Sequence, residues 1–259
     1  MIKGLYTGAA GMMTQLARQD TIANNLANVS TVGYKKDFAV SASFPGMLMS
    51  RLGESKEGHD GRLIRLAPQV IGPIGTGAVI DRIYTNFEQG NLMQTASPLD
   101  VAIVSEGFFT IETEQGIRYT RDGRLHLGAD GMLVNFNGQS VLDLAGSPIF
   151  LPVGDINITD EGDIFVDDIY ITTLQVVRFD DLNQLVKEGS VHFRATEEPE
   201  VMLQPGLRQG WLESSNVNAI REMVSLISVM RAYEAAQKVI QSHDELTQTA
   251  VNNTASTLG

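Results

Sequence analysis

The stretch Asp20-Thr21-Ile22-Ala23-Asn24-Asn25-Leu26-Ala27-Asn28, with Thr31-Val32-Gly33-Tyr34-Lys35-Lys36 behind it, closes an N-terminal segment whose apolar residues fall four and three apart. Leu5, Ala9, Met12, Leu16, Ala23 and Leu26 share this seam, and polar Gln19 is its one interruption. Alternating four-three spacing lines side chains along one helix stripe, which is stable only when buried against another helix. The far end of the chain repeats the pattern. After Gly210-Trp211-Leu212-Glu213-Ser214-Ser215-Asn216-Val217-Asn218, a second seam runs through Ala219, Met223, Leu226, Met230, Tyr233 and Ile240, interrupted at Gln237. Such stripes at the two ends alone predict terminal helices that pair with each other or with other copies of the chain.

The first helix is expected from Ile2 to Asn28, broken by the loop Val29 to Tyr34. Gly8 and Gly11 each cost a helix interior about 1 kcal/mol against Ala, so partners rather than propensity must order its first turns. The second is expected from Asn216 to Thr249. Asn218 suits the N-cap, where its side chain accepts a backbone N–H, and Glu222 sits near the positive end of the helix dipole.

The middle reads differently. From Ala78 to Gln204, Val101, Ile103, Phe109, Ile111, Leu125, Leu133, Ile164 and Val176 lie in short alternating or apolar runs. Asp122-Gly123, Asp130-Gly131, Asn137-Gly138 and Glu161-Gly162 punctuate them. These dipeptides accept the positive φ that tight hairpin turns demand, and closely spaced turns favour antiparallel pairing. Between Phe38 and Gly77 no period stands out. Met47-Leu48-Met49 with Arg51-Leu52 suggests a helical turn, Glu54 to Gly61 reads as a loop, and Pro68 and Pro73 bracket extended pieces.

The resulting class is α+β. An antiparallel, all-β central domain, sandwich- or barrel-like, is expected over 78–209. Residues 1–36 and 210–259 supply a helical, coiled-coil assembly domain, and 37–77 form an irregular or extended linker.

Composition narrows the function. A formal charge of -12 offers no basic field to neutralise phosphates, which argues against nucleic-acid binding. The absence of cysteine excludes disulfides, thiolate metal sites and a cysteine nucleophile. Neither a cleavable signal segment nor a membrane span is expected. His59, His126, His192 and His243 are scattered without ligand spacing, and no Gly-x-Ser-x-Gly elbow occurs. Gly75-Thr76-Gly77 precedes a strand-like run rather than a helix, so no helix N-terminus faces a phosphate. Asp160-Glu161-Gly162-Asp163 with Asp167-Asp168 lacks the terminal Glu of a calcium loop and reads as a solvated acidic hairpin. Trp211 suits an anchor of the closing helix or a plain core aromatic. The expectation is no catalytic, metal or cofactor site. A structural subunit is favoured over a ligand-binding or enzymatic β domain with incidental helical ends, because no catalytic constellation converges.

Three blocks also carry a resemblance. Asn24, Asn25, Leu26 and Asn28 with Gly33 and Tyr34 form the first, and Pro98, Leu99 and Asp100 ahead of Gly107-Phe108-Phe109 the second. Asn216, Val217 and Asn218, then Glu222-Met223-Val224 and Arg231-Ala232-Tyr233-Glu234, form the third. In this order they resemble the flagellar basal-body rod proteins of bacteria, of the proximal and distal rod type and related to hook proteins. Ala96-Ser97 departs from the family's usual Gly-Asn, and Ser105 from its usual glycine. The length resembles a rod rather than a hook protein. The resemblance implies a helical homo-oligomer that also meets other rod and hook subunits. It further implies passage through the flagellar export apparatus without signal removal, residence in the rod outside the cytoplasmic membrane, and torque transmission. Its assembly interface is expected on Leu5, Met12, Leu16, Ala23, Leu26, Met223, Leu226, Met230, Tyr233 and Ile240.

Overall fold

Helix α1 spans Ile2–Ala27, as the periodicity predicts, and helix α2 spans Ala219–Ser256, starting near the expected place but running past the expected end at Thr249. The computed structural model describes residues 2–44, 47–51, 55–57, 63–65, 69–75 and 77–256. Among the described residues between the helices, the regular elements are strands apart from a 3-10 turn at Leu182–Gln184. No described helix is long and apolar enough to cross a membrane.

The chain divides into two compact units. The first contains Met1–Thr21, Ala39–Ile83 and Val224–Gly259. Here α1 and α2 meet through glycine rather than through interlocking apolar seams. A Cβ built on Gly8 would stand 2.9 Å from Cγ1 of Ile240, and one on Gly4 2.8 Å from Nε2 of His243. The two pairs run in opposite senses along the helices, so the helices are antiparallel. Thr14 is buried below them, its hydroxyl 2.9 Å from the carbonyl of Ala10 and 3.0 Å from that of Ala78. Gly11 has open space beside it. Gly11→Ala should therefore raise unit stability by about 1 kcal/mol through helix propensity alone. Gly8→Val should lower it by wedging the helices apart; chemical-denaturation midpoints measure both.

Residues 37–77, expected to be irregular or extended, carry short strands. Asp37–Ser43 pairs with Ala78–Thr85. Met47–Arg51 is a strand paired antiparallel with Gln69–Ile74, not the expected helical turn. Ser55–Glu57, inside the stretch from Glu54 to Gly61 read as a loop, is a strand paired with Leu63–Arg65 beyond it. His59 and Pro68 lie outside the described residues.

The second unit contains Ile22–Phe38 and Tyr84–Met223. Its largest sheet has nine strands, all antiparallel, with Phe108–Thr113 flanked by Gly116–Thr120 on one edge. Ser140–Val141 and Val176–Arg178 share the other edge. A three-stranded sheet, Ile156–Ile158, Asp163–Val166 and Ile169–Thr173, contributes Ile158 and Ile164 to the same core as Val101, Phe109, Ile111 and Leu133. Among the described residues the sheets stay open, so the barrel alternative is not realised. Neighbouring pairs such as Phe108–Thr113 with Gly116–Thr120 and Leu125–Leu127 with Leu133–Asn135 are joined by turns of a few residues, too short for a crossover, whereas Gly116–Thr120 meets His192–Arg194 across a long stretch of chain.

Three of the four expected turns are present. Gly131, Gly138 and Gly162 adopt φ of 75°, 80° and 96° between paired strands. Asp122-Gly123 is not a hairpin. A Cβ on Gly123 would lie 1.7 Å from the Val101 carbonyl oxygen, so glycine is needed there for close backbone passage. A further turn, Asp167-Asp168, takes φ of 51° and 63° without any glycine. Short acidic side chains tolerate that region better than other non-glycine residues.

Candidate functional site

The first and third sequence blocks meet in a buried polar joint inside the second unit. After α1 ends, the Asn28 side chain donates 2.9 Å to the Asn24 carbonyl, and the Thr31 hydroxyl donates to Asn28 Oδ1. The chain then turns at Gly33, φ 69°, whose N–H donates 2.8 Å to the Glu213 carbonyl. A Cβ at this position would fall 2.5 Å from the Arg121 carbonyl carbon. Only glycine fits both the angle and the space.

Asn25, wholly buried, closes the loop that follows α1. Its Nδ2 donates 2.7 Å to the Asp37 carbonyl, and its Oδ1 accepts the Asp37 N–H at 2.9 Å. An amide is the side chain that both donates and accepts there. The Tyr34 hydroxyl donates to the same Oδ1 at 3.0 Å. Burial pushes this phenol well above its ordinary range. The Lys187 ammonium stands 3.8 Å from the Tyr34 ring centroid and pairs with Asp37 at 2.8 Å.

Lys35 and Glu213 form the centre, 2.6 Å apart with side chains 1% exposed. Lys35 Nζ also donates to the carbonyls of Glu88, at 2.8 Å, and Phe87, at 3.3 Å. All three ammonium protons therefore have acceptors. Glu213 further accepts the Gly90 N–H at 2.8 Å and Arg121 Nη1 at 3.2 Å. Burial lowers the pKa of both Lys35 and Arg121, and Glu213 opposes the shift.

Asn216 ties the third block to the first. Its Oδ1 accepts the Lys36 N–H at 2.8 Å, while Nδ2 donates to the carbonyls of Asn86 and Glu88. Val217 packs with Tyr34 and Val191. Asn218 caps α2 as expected, accepting the Arg221 N–H at 3.0 Å. Buried Glu222 pairs with Lys36 at 2.5 Å in addition to sitting in the first helical turn.

The second block lies alongside. Leu99 packs against the main core, and the Pro98 carbonyl accepts from Gln209 at 2.8 Å. The Asp100 carbonyl accepts the Gly210 N–H at 2.7 Å. Val101–Ile103 pairs with Leu207–Gln209, which brings this block to the strand leading into the third. Ser105 donates its hydroxyl to the Pro205 carbonyl, a contact that the family's usual glycine could not make. Trp211 lies half-buried in a strand paired with Leu92–Gln94, the Arg208 guanidinium over its ring.

The ten expected interface residues divide by face. Leu226, Tyr233 and Ile240 are half-buried, as are Met12 and Leu26. Leu5, Leu16, Ala23, Met223 and Met230 are exposed. Tyr6 and Met13, both 72% exposed, and Ile220, Val224 and Ile227 add apolar surface that the seams omitted. Ile220, Val224 and Ile227 carry their own four-three spacing, which would have flagged them. Lys35, Arg121 and Glu213 were not singled out as site residues, because isolated charged residues ordinarily signify surface.

His192 sits beside the joint, opposite Thr120. Burial holds its imidazole below the usual 6.5. On acidification the unfolded chain protonates first, so stability should fall as pH drops through 6.5 toward the lowered value. His192→Gln should flatten that part of a urea-midpoint profile against pH.

Paired helical ends, a β domain that locks their bases together, and apolar helix faces left open define an assembling structural subunit. Residues 5–35 match the description "Flagella basal body rod protein", 102–170 "Flagellar hook protein FlgE/F/G D1 domain", and 208–253 "Flagellar basal body rod FlgEFG protein C-terminal". The chain is 32% identical to the flagellar basal-body rod protein FlgF of Caulobacter vibrioides, over 97% of each chain. It is 34% identical to the flagellar basal-body rod protein FlgG of Borreliella burgdorferi, over 97% of this chain and 98% of that one. It is also 27% identical to the flagellar hook-basal body complex protein FlhO of Bacillus subtilis, over 97% and 98%. The chain belongs to the flagellar basal-body rod protein family.

Proposed function

We propose that this chain is a non-catalytic structural subunit of the flagellar rod, assembling helically with its own copies and with other rod and hook subunits. The outward faces of α1 and α2 carry the contacts, and the finished rod transmits torque from motor to hook. The observation that supports this most directly is the row of exposed apolar residues, Met223, Ile227 and Met230, on a helix that farther along holds Ile240 against Gly8. Water-exposed apolar surface of this kind gains free energy only when a partner covers it. We further propose that the chain reaches the rod through the flagellar export apparatus with its native N-terminus retained. Purified basal bodies test the reading. The protein should be found there with its own N-terminal peptide, and a deletion strain should lose motility. Full motility in that strain, with basal bodies lacking the protein, would overturn it.

A further inference from the structure

The joint pairs two buried cations with one buried carboxylate. Lys35, with three donors matched, is an ammonium, Arg121 is permanently cationic, and among the described residues Glu213 is the only carboxylate hydrogen-bonded to either. Exposed Glu106 acts on Arg121 from a distance. Arg121 is 6% exposed, and its Nε has no hydrogen-bond partner. Its guanidinium lies 5.2 Å from the Phe108 ring centroid and lines a groove of about 790 Å³ with Phe38, Phe87, Phe179 and Leu182. Arg178 stands at the rim, paired with Glu200, beside the solvated Glu88 and Glu106. A desolvated cation at the floor of an aromatic groove favours a carboxylate carried on an apolar support, because the low dielectric strengthens that pairing.

The same chain carries such a group elsewhere. Between Arg124 and Arg178 there are eight Asp and Glu and no Lys or Arg. At one end of the three-stranded sheet, Asp155, Asp167 and Asp168 are exposed beside Val153, 98% exposed, Ile169 and Tyr170. We propose that the Arg121 groove of one copy receives this acidic hairpin tip from a second copy, an Asp meeting the guanidinium and the apolar residues covering the phenylalanines. The inference rests on the assembly reading above. Groove and tip are different surfaces of one chain, so the contact is head-to-tail, the class of interface that a helical array requires.

The absence of native cysteine makes disulfide trapping clean. Val153→Cys protein is mixed with Asn183→Cys protein, Asn183 being an exposed residue of the groove. The control partner is Ser190→Cys, exposed and outside the groove. Cross-linking under mild oxidation and sedimentation are read on the same full-length samples. The Val153–Asn183 pair should link at least about tenfold faster than the Val153–Ser190 pair, as proximity raises effective concentration. Asp167→Asn with Asp168→Asn, which keeps side chains suited to the left-handed turn, should bring the rate down to the control. Assembly without preferential linking, or linking unchanged by the double substitution, overturns the docking alone. Absence of both assembly and linking at all concentrations overturns it together with the assembly reading.

Discussion

Glu213→Ala should be the most damaging single substitution in the β-rich unit. It deletes one carboxylate and leaves two cations, Lys35 and Arg121, buried without a counter-charge. Breaking a buried pair by removing one partner costs about 3–5 kcal/mol, a large share of the ~5–15 kcal/mol that holds a typical domain. The Gly90 N–H also loses its acceptor. Urea unfolding should show the full loss, and amide exchange should quicken at Gly33 and Gly90. Glu213→Gln keeps an acceptor of similar shape and should fall between. Lys35→Met offers the contrast, since Glu213 then still faces Arg121 and the joint returns to one cation and one anion. It should therefore cost clearly less than Glu213→Ala. Equal losses from Lys35→Met and Glu213→Ala would show that the carboxylate is not the shared centre.

The joint explains why part of the site was legible in the sequence and part was not. Asn25, Gly33, Tyr34 and Asn216 stand out because each satisfies a backbone demand that few residues meet: two main-chain bonds, a positive φ, a buried hydroxyl, a bridge between segments. The end of α1 and the Asn218 cap are readable for the same reason, since capping is local chemistry, whereas the end of α2 lacks such a signal and runs past Thr249 to Ser256. Lys35 and Glu213 meet across 178 positions, and nothing local tells a buried charge from a solvated one. The seams mark a different limit. Periodicity finds a helix face but not the neighbour that covers it. Met223 and Leu226 share one stripe on α2, yet one is exposed and the other half-buried. Glycine misled too. Gly8 reads as a weak point, yet the missing Cβ is what admits Ile240. Asp122-Gly123 looks like a turn, whereas its glycine serves close passage of Val101.

That difference in exposure yields the second large effect. Met230 is 44% exposed and flanked by exposed Ile227 and Met223, so Met230→Asp removes less of what the chain itself buries than a change at half-buried Leu226. Surface substitutions of this kind usually change stability by about 0.5 kcal/mol or less. The proposed assembly covers the same position in the rod. Burying a Met side chain contributes about 1.5–3 kcal/mol, and a carboxylate there would be stripped of water without a partner. Each subunit of a helical array carries the defect, so the losses repeat along the structure. Met230→Asp should therefore keep the wild-type unfolding midpoint and circular dichroism while failing to assemble or to restore motility. Leu226→Asp should fail to assemble as well, but with a lower midpoint, because half-buried Leu226 also packs within its own chain. Gln241→Asp, exposed and polar, should assemble nearly normally. An assembly-competent Met230→Asp protein would remove the outward face of α2 from the interface. Equal midpoints for Met230→Asp and Leu226→Asp would show instead that Leu226 is held no more firmly within its own chain than Met230.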